Sequence, residues 1–320
     1  MILDGSASDD SFTVSSSDTF VPGATITIDV GYDSDNSLLF SGLICKQTLR
    51  VDFELGSALE VECKDEAIKM TGGRNSANYT STTDSDMMSK LIGNYSGLSA
   101  EVSSTSATIP QLLQYYSSDW DFLLTRAEVN GLVVSTINGK GSVFPPDKNS
   151  TPVLTISYGD NLYTFNGELN AVTQLAQVNA SAWDFKSQQL ISAQASNDVA
   201  GPGNITSKKL SEAVGPTQFN LQTSAALDND GLTGWAQAQM LKSEYAKIIA
   251  EVSFQGCSTV EPGVFLTLAG MGDRFNGDHF VAGVSHDISD GNWFSEAKLG
   301  LSPIWFAQEP DVMAPAASGL

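Results

Sequence analysis

Phe20-Val21-Pro22-Gly23-Ala24-Thr25-Ile26-Thr27-Ile28 and Val260-Glu261-Pro262-Gly263-Val264-Phe265-Leu266-Thr267-Leu268 share one pattern at an offset of 240 residues. In each, a Pro-Gly turn opens a segment in which apolar and polar side chains alternate, the period of a strand with one buried face. A second match follows, with Leu39-Phe40-Ser41-Gly42-Leu43 against Phe280-Val281-Ala282-Gly283-Val284 at an offset of 241. One residue of length change in the intervening loop accommodates both. Each unit continues into a further alternating strand, through Leu59-Glu60-Val61 in the first and from Phe294 to Leu299 in the second. Pro-Gly turns and strand glycines are common singly. Matched in order, spacing and phase, they predict a duplicated β unit, and a duplicated unit lets three chains imitate a six-membered ring.

Around the first copy, Thr25 to Val30, Leu38 to Phe40, Leu43-Ile44, Val51 to Leu55 and Leu59 to Cys63 alternate between Pro22-Gly23, Gly31 and Gly42. This reads as an antiparallel meander of the kind that closes into barrels or sandwiches. Two helices follow. Thr83 or Asp84 caps the first, with Met87, Met88, Leu91 and Ile92 on one side and Gly93 as its stop. Ser118 caps the second, with Asp121 three residues on, Trp120, Leu123, Leu124 and Ala127 at helical spacing, and Gly131 terminating it. Strands return at Leu132 to Val134 and Val153 to Ile156. Residues 194–231, rich in Ala, Ser, Asn, Gly and Thr, are expected to form a partly mobile surface excursion. Leu232 to Leu241 reads as a helix behind an Asp230 cap, and Tyr245 to Phe254 as a strand.

The expected fold class is α+β, mainly β, with two related barrel-like tube domains and inserted helical and irregular segments. The expected divisions are a first barrel-like unit over 1–70, a helix-containing insert over 71–150, a second unit over 151–300 and a linker over 301–320.

A length of 320 residues suggests about two domains, and 41% apolar residues suffice for a core in each. Sixteen basic residues against 37 acidic ones leave a net charge of −21, which argues against nucleic-acid binding, since neutralising phosphates takes clustered Lys and Arg. Cys45, Cys63 and Cys257 are widely separated, with no C-x-x-C pair, so neither a disulfide framework nor a zinc site is expected and folding in a reducing cytoplasm is. No stretch reads as a secretory leader or a membrane span, and the chain is expected to be soluble.

Catalytic constellations are sparse. His279 and His286 are the two histidines, and no H-E-x-x-H, G-x-S-x-G or G-x-x-x-x-G-K-[ST] motif occurs. The histidines are assigned structural or surface roles, Asp119 and Asp121 helix-start roles, and Asp33 and Asp35 turn roles rather than calcium ligation. Trp120, Trp183, Trp235, Trp293 and Trp305 read as core or interface residues, with glycan binding as the alternative. Gly270, Gly272 and Gly277 around Arg274-Phe275 read as a hairpin loop whose tip either touches a neighbouring ring or is simply solvated.

Six stretches carry a family resemblance: Phe20 to Gly23 with Gly31-Tyr32-Asp33; Glu62-Cys63-Lys64-Asp65; Thr83-Asp84-Ser85-Asp86; Gln114 to Leu123 with Arg126 to Gly131; Ser181-Ala182-Trp183-Asp184-Phe185-Lys186; and Phe254-Gln255-Gly256 through Gly272 to Gly277 and Gly283 to His286. On these the chain resembles the VgrG-type hub and spike proteins of contractile injection systems, and is similar to the baseplate hub of contractile phage tails. The run Ser118-Asp119-Trp120-Asp121-Phe122-Leu123 is the most specific of them. The resemblance implies a non-enzymatic homotrimer without cofactor or metal, whose two barrel-like domains per chain build a pseudo-sixfold ring adapting a hexameric tail tube protein to a central spike. Implied partners are that tube protein, baseplate wedge proteins, a spike tip protein and effector cargo, and no nucleic acid. Assembly in the cytoplasm and residence in an injection particle, type VI secretion-like or phage tail-like, are implied too. The family's spike region would follow Leu320, so a longer protein is expected at both ends. The alternative is an envelope-directed glycan-binding module or hydrolase carried on a particle.

Joints between subunits are expected near Ile26, Ile28, Leu266 and Leu268, with Arg274 and Phe275 at the loop tip. The competing reading is that the first four fill barrel cores. In a ring lining a tube, part of the acidic excess is expected to face the lumen.

Overall fold

The two Pro-Gly turns form the same backbone arrangement twice, as a computed structural model shows; it describes residues 2–5, 11–52, 56–196, 201–225 and 227–309. Gly23 and Gly263 have φ of +99° and +104°, a region glycine enters without a Cβ clash. Gly23 N–H donates to Ile44 O at 2.8 Å and Ile44 N–H to Ala24 O at 2.9 Å; Gly263 N–H donates to Val281 O at 2.8 Å and Val281 N–H to Val264 O at 2.9 Å. Both glycines are therefore committed to the hairpins they open. Gly263→Ala is expected to destabilise more than Gly23→Ala: an added Cβ at 263 would also lie 2.5 Å from Phe144 Cζ, whereas at 23 it meets nothing within 4 Å. The strain common to both is about 1–2 kcal/mol; comparing denaturant midpoints of the two variants checks the order.

In chain order the first half comprises β1 (Ile2–Leu3), β2 (Thr25–Tyr32), β3 (Asp35–Asp52), β4 (Gly56–Lys64), β5 (Asn75–Thr83), α1 (Asp84–Gly93), β6 (Ser99–Val102), β7 (Thr108–Ser117), α2 (Asp119–Val129), β8 (Val133–Ile137) and β9 (Lys140–Phe144). The second comprises β10 (Leu154–Ser157), β11 (Leu162–Leu169), β12 (Gln177–Asp184), β13 (Gln189–Ser196), α3 (Ser207–Ala213), β14 (Gln218–Thr223), α4 (Asn229–Tyr245), β15 (Ile248–Gln255), β16 (Phe265–Ala269), β17 (Gly277–Ser289) and β18 (Asn292–Leu299). The fold is α+β, mainly β, with two curled sheets of half-barrel form.

The first curled sheet runs β1-β4-β3-β2 and the second β10-β16-β17-β18-β15-β11. Their common part is a three-stranded meander. Thr25 pairs with Leu43 and Ile26 with Gly42; Phe265 pairs with Phe280 and Leu266 with His279. A bulge follows at the same place in each, between Ile44 and Lys46 and between Val281 and Gly283. This corrects the expected correspondence of Gly42 with Gly283. The ladder matches Gly42 with His279, and Gly283 lies beyond the bulge, because the second hairpin has fewer residues between its paired ends, Phe265 and Phe280 against Thr25 and Leu43, and glycine identity carries no information about register.

Inner faces follow from the pairing. Leu266, Leu268, Val281, Ala297 and Leu299 join Ile156, Val252 and Phe254 in the core of the second sheet. The sheets meet at the β2–β3 turn, where the Tyr32 ring stacks on Trp293 at 5.5 Å and its hydroxyl donates to Gly256 O at 3.2 Å.

Between the sheets lies a helical module. Thr83 Oγ1 accepts from Asp86 N–H and Ser118 Oγ from Asp121 N–H, the expected caps. Met87, Met88, Leu91 and Ile92 of α1 pack on Phe122, Leu123 and Ala127 of α2. The β5–β7 pair and the sheet β6-β9-β8 flank them.

Two expectations for 194–231 and the following helix fail. The stretch contains the end of β13, α3 and β14; residues 197–200 and 226 lie outside the described residues, as do 53–55 of the strand expected over Val51 to Leu55. β14 runs parallel to β12 and buries only Leu221, so it leaves no alternation to read. α4 begins at Asn229 behind Asp228, whose Oδ1 accepts from Gly231 N–H at 2.8 Å, not behind Asp230. The sheet β13-β12-β14 packs on α4 through Ala180, Ala182, Ala195, Leu232, Ala236 and Met240.

Candidate assembly surface

The six residues expected at joints separate into two groups. Leu266 and Leu268 are 0% and 1% exposed. They fill the second sheet's core and are removed from the list of surface contacts, because β10 covers the edge of β16 and brings Ile156 against them. Ile26 is half-buried, while Ile28 is 40% exposed. In the β16–β17 loop, Arg274 is exposed and its guanidinium donates to Asn204 Oδ1, whereas Phe275 turns inward onto Phe165, with ring centroids 5.4 Å apart. The structure therefore brings Ile26 and Ile28 together on β2 and sets Arg274 on a separate loop.

Surface aromatics form clusters that the sequence reading passed over. At the β12–β13 turn, Trp183 pairs across the hairpin with Leu190, and both are exposed beside Phe185. Hydrogen bonds tie the turn together: Asp184 accepts from Lys186 N–H and Ser187 N–H, and hydrogen bonds from the Ser187 hydroxyl and the Lys186 amide hold its carboxyl below the usual range. On β7, Leu113, Tyr115 and Tyr116 are exposed, and Arg74 lies 5.5 Å over the Tyr116 ring. Trp183, Phe185, Tyr115 and Tyr116 lie within stretches quoted for the resemblance, while Leu190, Leu113 and Arg74 lie outside them. The signal was there in Trp183-Asp184-Phe185-Lys186, where an Asx turn puts flanking aromatics at a hairpin tip.

The carboxylates of the helical module serve structure. Arg126 donates from Nε and Nη2 to Asp84 at 2.7 Å each, and Asn130 Nδ2 adds a third donor at 2.8 Å. Asp119 accepts from Gln114, Asn75 and Tyr95 at 2.8–2.9 Å. Burial acts to raise its carboxyl, but those donors outweigh it and hold it below the ordinary value; burial and the Asp119 contact push the Tyr95 phenol up to about 12. Asp119 is thus more than the helix-start charge expected of it.

Four tryptophans are absorbed by packing: Trp120 against the helical core, Trp235 against α4's sheet, Trp293 under Tyr32, and Trp305, whose Nε1 donates to Gln239 at 2.7 Å. A cavity of about 270 Å³ at the end of α4 is lined by Lys148, Glu244, Tyr245 and His279. Lys148 pairs there with Glu244, and the neighbouring buried Lys247 donates to Ile205 O at 3.0 Å. Among the described residues no three His, Cys, Asp or Glu side chains converge as metal ligands, and no helix is long and apolar enough to cross a membrane.

Both histidines sit on the inner face of β17. His279 Nε2 lies 2.7 Å from Phe275 O. Trp293 Nε1, which can only donate, lies 3.3 Å from His286 Nδ1, so that nitrogen is an acceptor and the ring proton is on Nε2. Burial lowers the pKa of each. A lowered folded pKa means the unfolded chain takes up protons first, so stability present above about pH 6.5 is lost as pH falls through the folded values. The thermal midpoint is expected to drop between pH 7 and 5, and a His279→Gln, His286→Gln double variant is expected to flatten that drop.

The family model described as Alg8 N-terminal domain matches residues 1–290. The chain belongs to that family. No curated protein sequence matches this member of it. Among solved structures, it is similar to the tail protein from Neisseria meningitidis MC58, at 15% identity over 92% of each chain with a TM-score of 0.63. The 43 kDa tail protein of prophage MuSo2 from Shewanella oneidensis aligns at 12% identity over 88% of this chain and 83% of that one, with a TM-score of 0.64. The E. coli c3393 protein, described as a type VI secretion component with structural similarity to the T4 tail proteins gp27 and gp5, aligns at 12% identity over 87% of this chain and 66% of that one, with a TM-score of 0.56. At these identities the likeness is one of fold, and this Alg8 N-terminal domain family member has the fold of phage tail proteins.

Proposed function

We propose that the chain is a structural, non-enzymatic hub of a contractile injection system baseplate, a VgrG-type homotrimer that adapts a hexameric tail tube to a central spike. The observation that carries this reading is the duplicated meander with its matched Pro-Gly turns, hydrogen bonds and bulges. Two equivalent units per chain are what a threefold assembly needs to meet a sixfold one. The fold shared with tail proteins supports it, as does the type VI secretion role described for the E. coli protein. In this reading Ile26, Ile28 and Arg274 lie at joints, tube, wedge and spike tip proteins are the neighbours, and effector cargo passes through the ring.

The test is native mass measurement of the purified chain, followed by imaging with the tube protein. Three copies per particle and end-on binding to the hexameric tube are expected, with more than about 2,000 Å² buried at each subunit interface. A stable monomer at tens of micromolar that shows no affinity for the tube protein would overturn it.

A further inference from the structure

The second unit supplies a template for the first. Strand β10 covers the edge of β16 that faces away from β17, running parallel to it with Leu154, Ile156 and Ser157 opposite Leu266, Leu268 and Ala269. Strand β2 holds the corresponding place in the first sheet, and among the described residues no strand pairs with its outer edge. Ile26 and Ile28 stand where the second unit has Leu266 and Leu268, yet Ile28 is 40% exposed against 1% for Leu268. Thr25-Ile26-Thr27-Ile28 also lacks the Lys or Pro with which proteins usually block an edge, and is rich in β-branched residues that favour pairing. Asp29 is the single charge there, in the place of Ala269.

We infer that the outer edge of β2 takes up an extended strand of another polypeptide, running parallel to it. Two apolar residues at alternate positions of that strand fill the space beside Ile26 and Ile28, as Leu154 and Ile156 do beside Leu266 and Leu268. A basic residue next along it faces Asp29. The partner is thus a segment of apolar-polar-apolar-basic pattern, bound by main-chain hydrogen bonds with side chains setting the register. This rests on the internal repeat and holds whatever the number of chains in the ring.

A labelled peptide copying residues 151–158, with lysine in place of Ser157, tests it on the full chain diluted until its mass is that of a monomer. The expected result is saturable binding, slowed amide exchange at alternate positions over 25–29, and at least about tenfold weaker affinity for the Ile28→Lys variant, since that change puts a charge into the apolar contact. Ile288→Lys, which alters an exposed apolar residue of the second unit, serves as the folded control and is expected to bind normally. N-methylating the peptide amides that face β2 is expected to abolish binding. Binding that survives both Ile28→Lys and N-methylation, or an unchanged exchange pattern over 25–29 at about millimolar peptide, would overturn the inference.

Discussion

Leu268→Asp is expected to abolish folding of the second sheet. Leu268 is 1% exposed and packs among Ile156, Val252, Phe254 and Leu299. Truncation of such a leucine to alanine costs about 2–5 kcal/mol. A carboxylate adds the expense of burying a charge with no donor nearby, and the sum reaches the whole stability of a typical domain, about 5–15 kcal/mol. The corresponding change in the first copy, Ile28→Asp, is expected to leave a folded chain, because that side chain already meets solvent. Circular dichroism and denaturant titration of the two variants check this; equal losses would mean that Ile28 is as deeply buried as Leu268 and that the edge of β2 is not bare.

Asp84→Ala is expected to be nearly as damaging, for an electrostatic reason. Asp84 is 3% exposed and is the carboxylate partner of the Arg126 guanidinium. Removing it leaves a largely buried cation without its counterion, a loss of about 3–5 kcal/mol. Asn130 loses an acceptor as well. The double variant Asp84→Ala, Arg126→Met is expected to regain much of that stability, since no uncompensated charge remains and the methionine stem keeps part of the packing. A double-mutant cycle read by chemical denaturation measures the coupling; strictly additive losses would show the pair to be energetically independent.

These contrasts mark where sequence reading carries and where it stops. The caps at Thr83 and Ser118 were legible because each is a hydrogen bond spanning three residues, local enough to be written in the sequence. The Pro-Gly repeat was legible for the same reason. Its true register was not, since the bulges after Ile44 and Val281 alter the phase of β3 and β17 without a residue signature. The layer of β12, β13 and β14 was hidden by its packing: Ala180, Ala182 and Ala195 approach α4 through small side chains, so the alternation present in Gln177 to Ala182 is shallow and resembles that of an alanine-rich loop. Within the candidate site, Ile26-Thr27-Ile28 and Leu266-Thr267-Leu268 are indistinguishable as patterns. What separates them is β10, more than a hundred residues from β16 in the chain, and such a long-range pairing leaves no local trace.

The covered edge of β16 and the bare edge of β2 also set a hierarchy of motion. The second meander, closed on both sides within a sheet whose core cluster has ten buried side chains, is expected to open only when the whole unit unfolds, whereas the first, whose buried apolar side chains among the described residues are Ile44 and Leu59, is expected to fray at lower cost. Twins in backbone, the two copies would differ as foldons: amides of β2 to β4 exchanging early, those of β15 to β18 late. The early-opening copy is expected to remodel around a neighbour while the other keeps the chain's shape, so that one meander pattern, present twice, serves both an adaptable half and a rigid one.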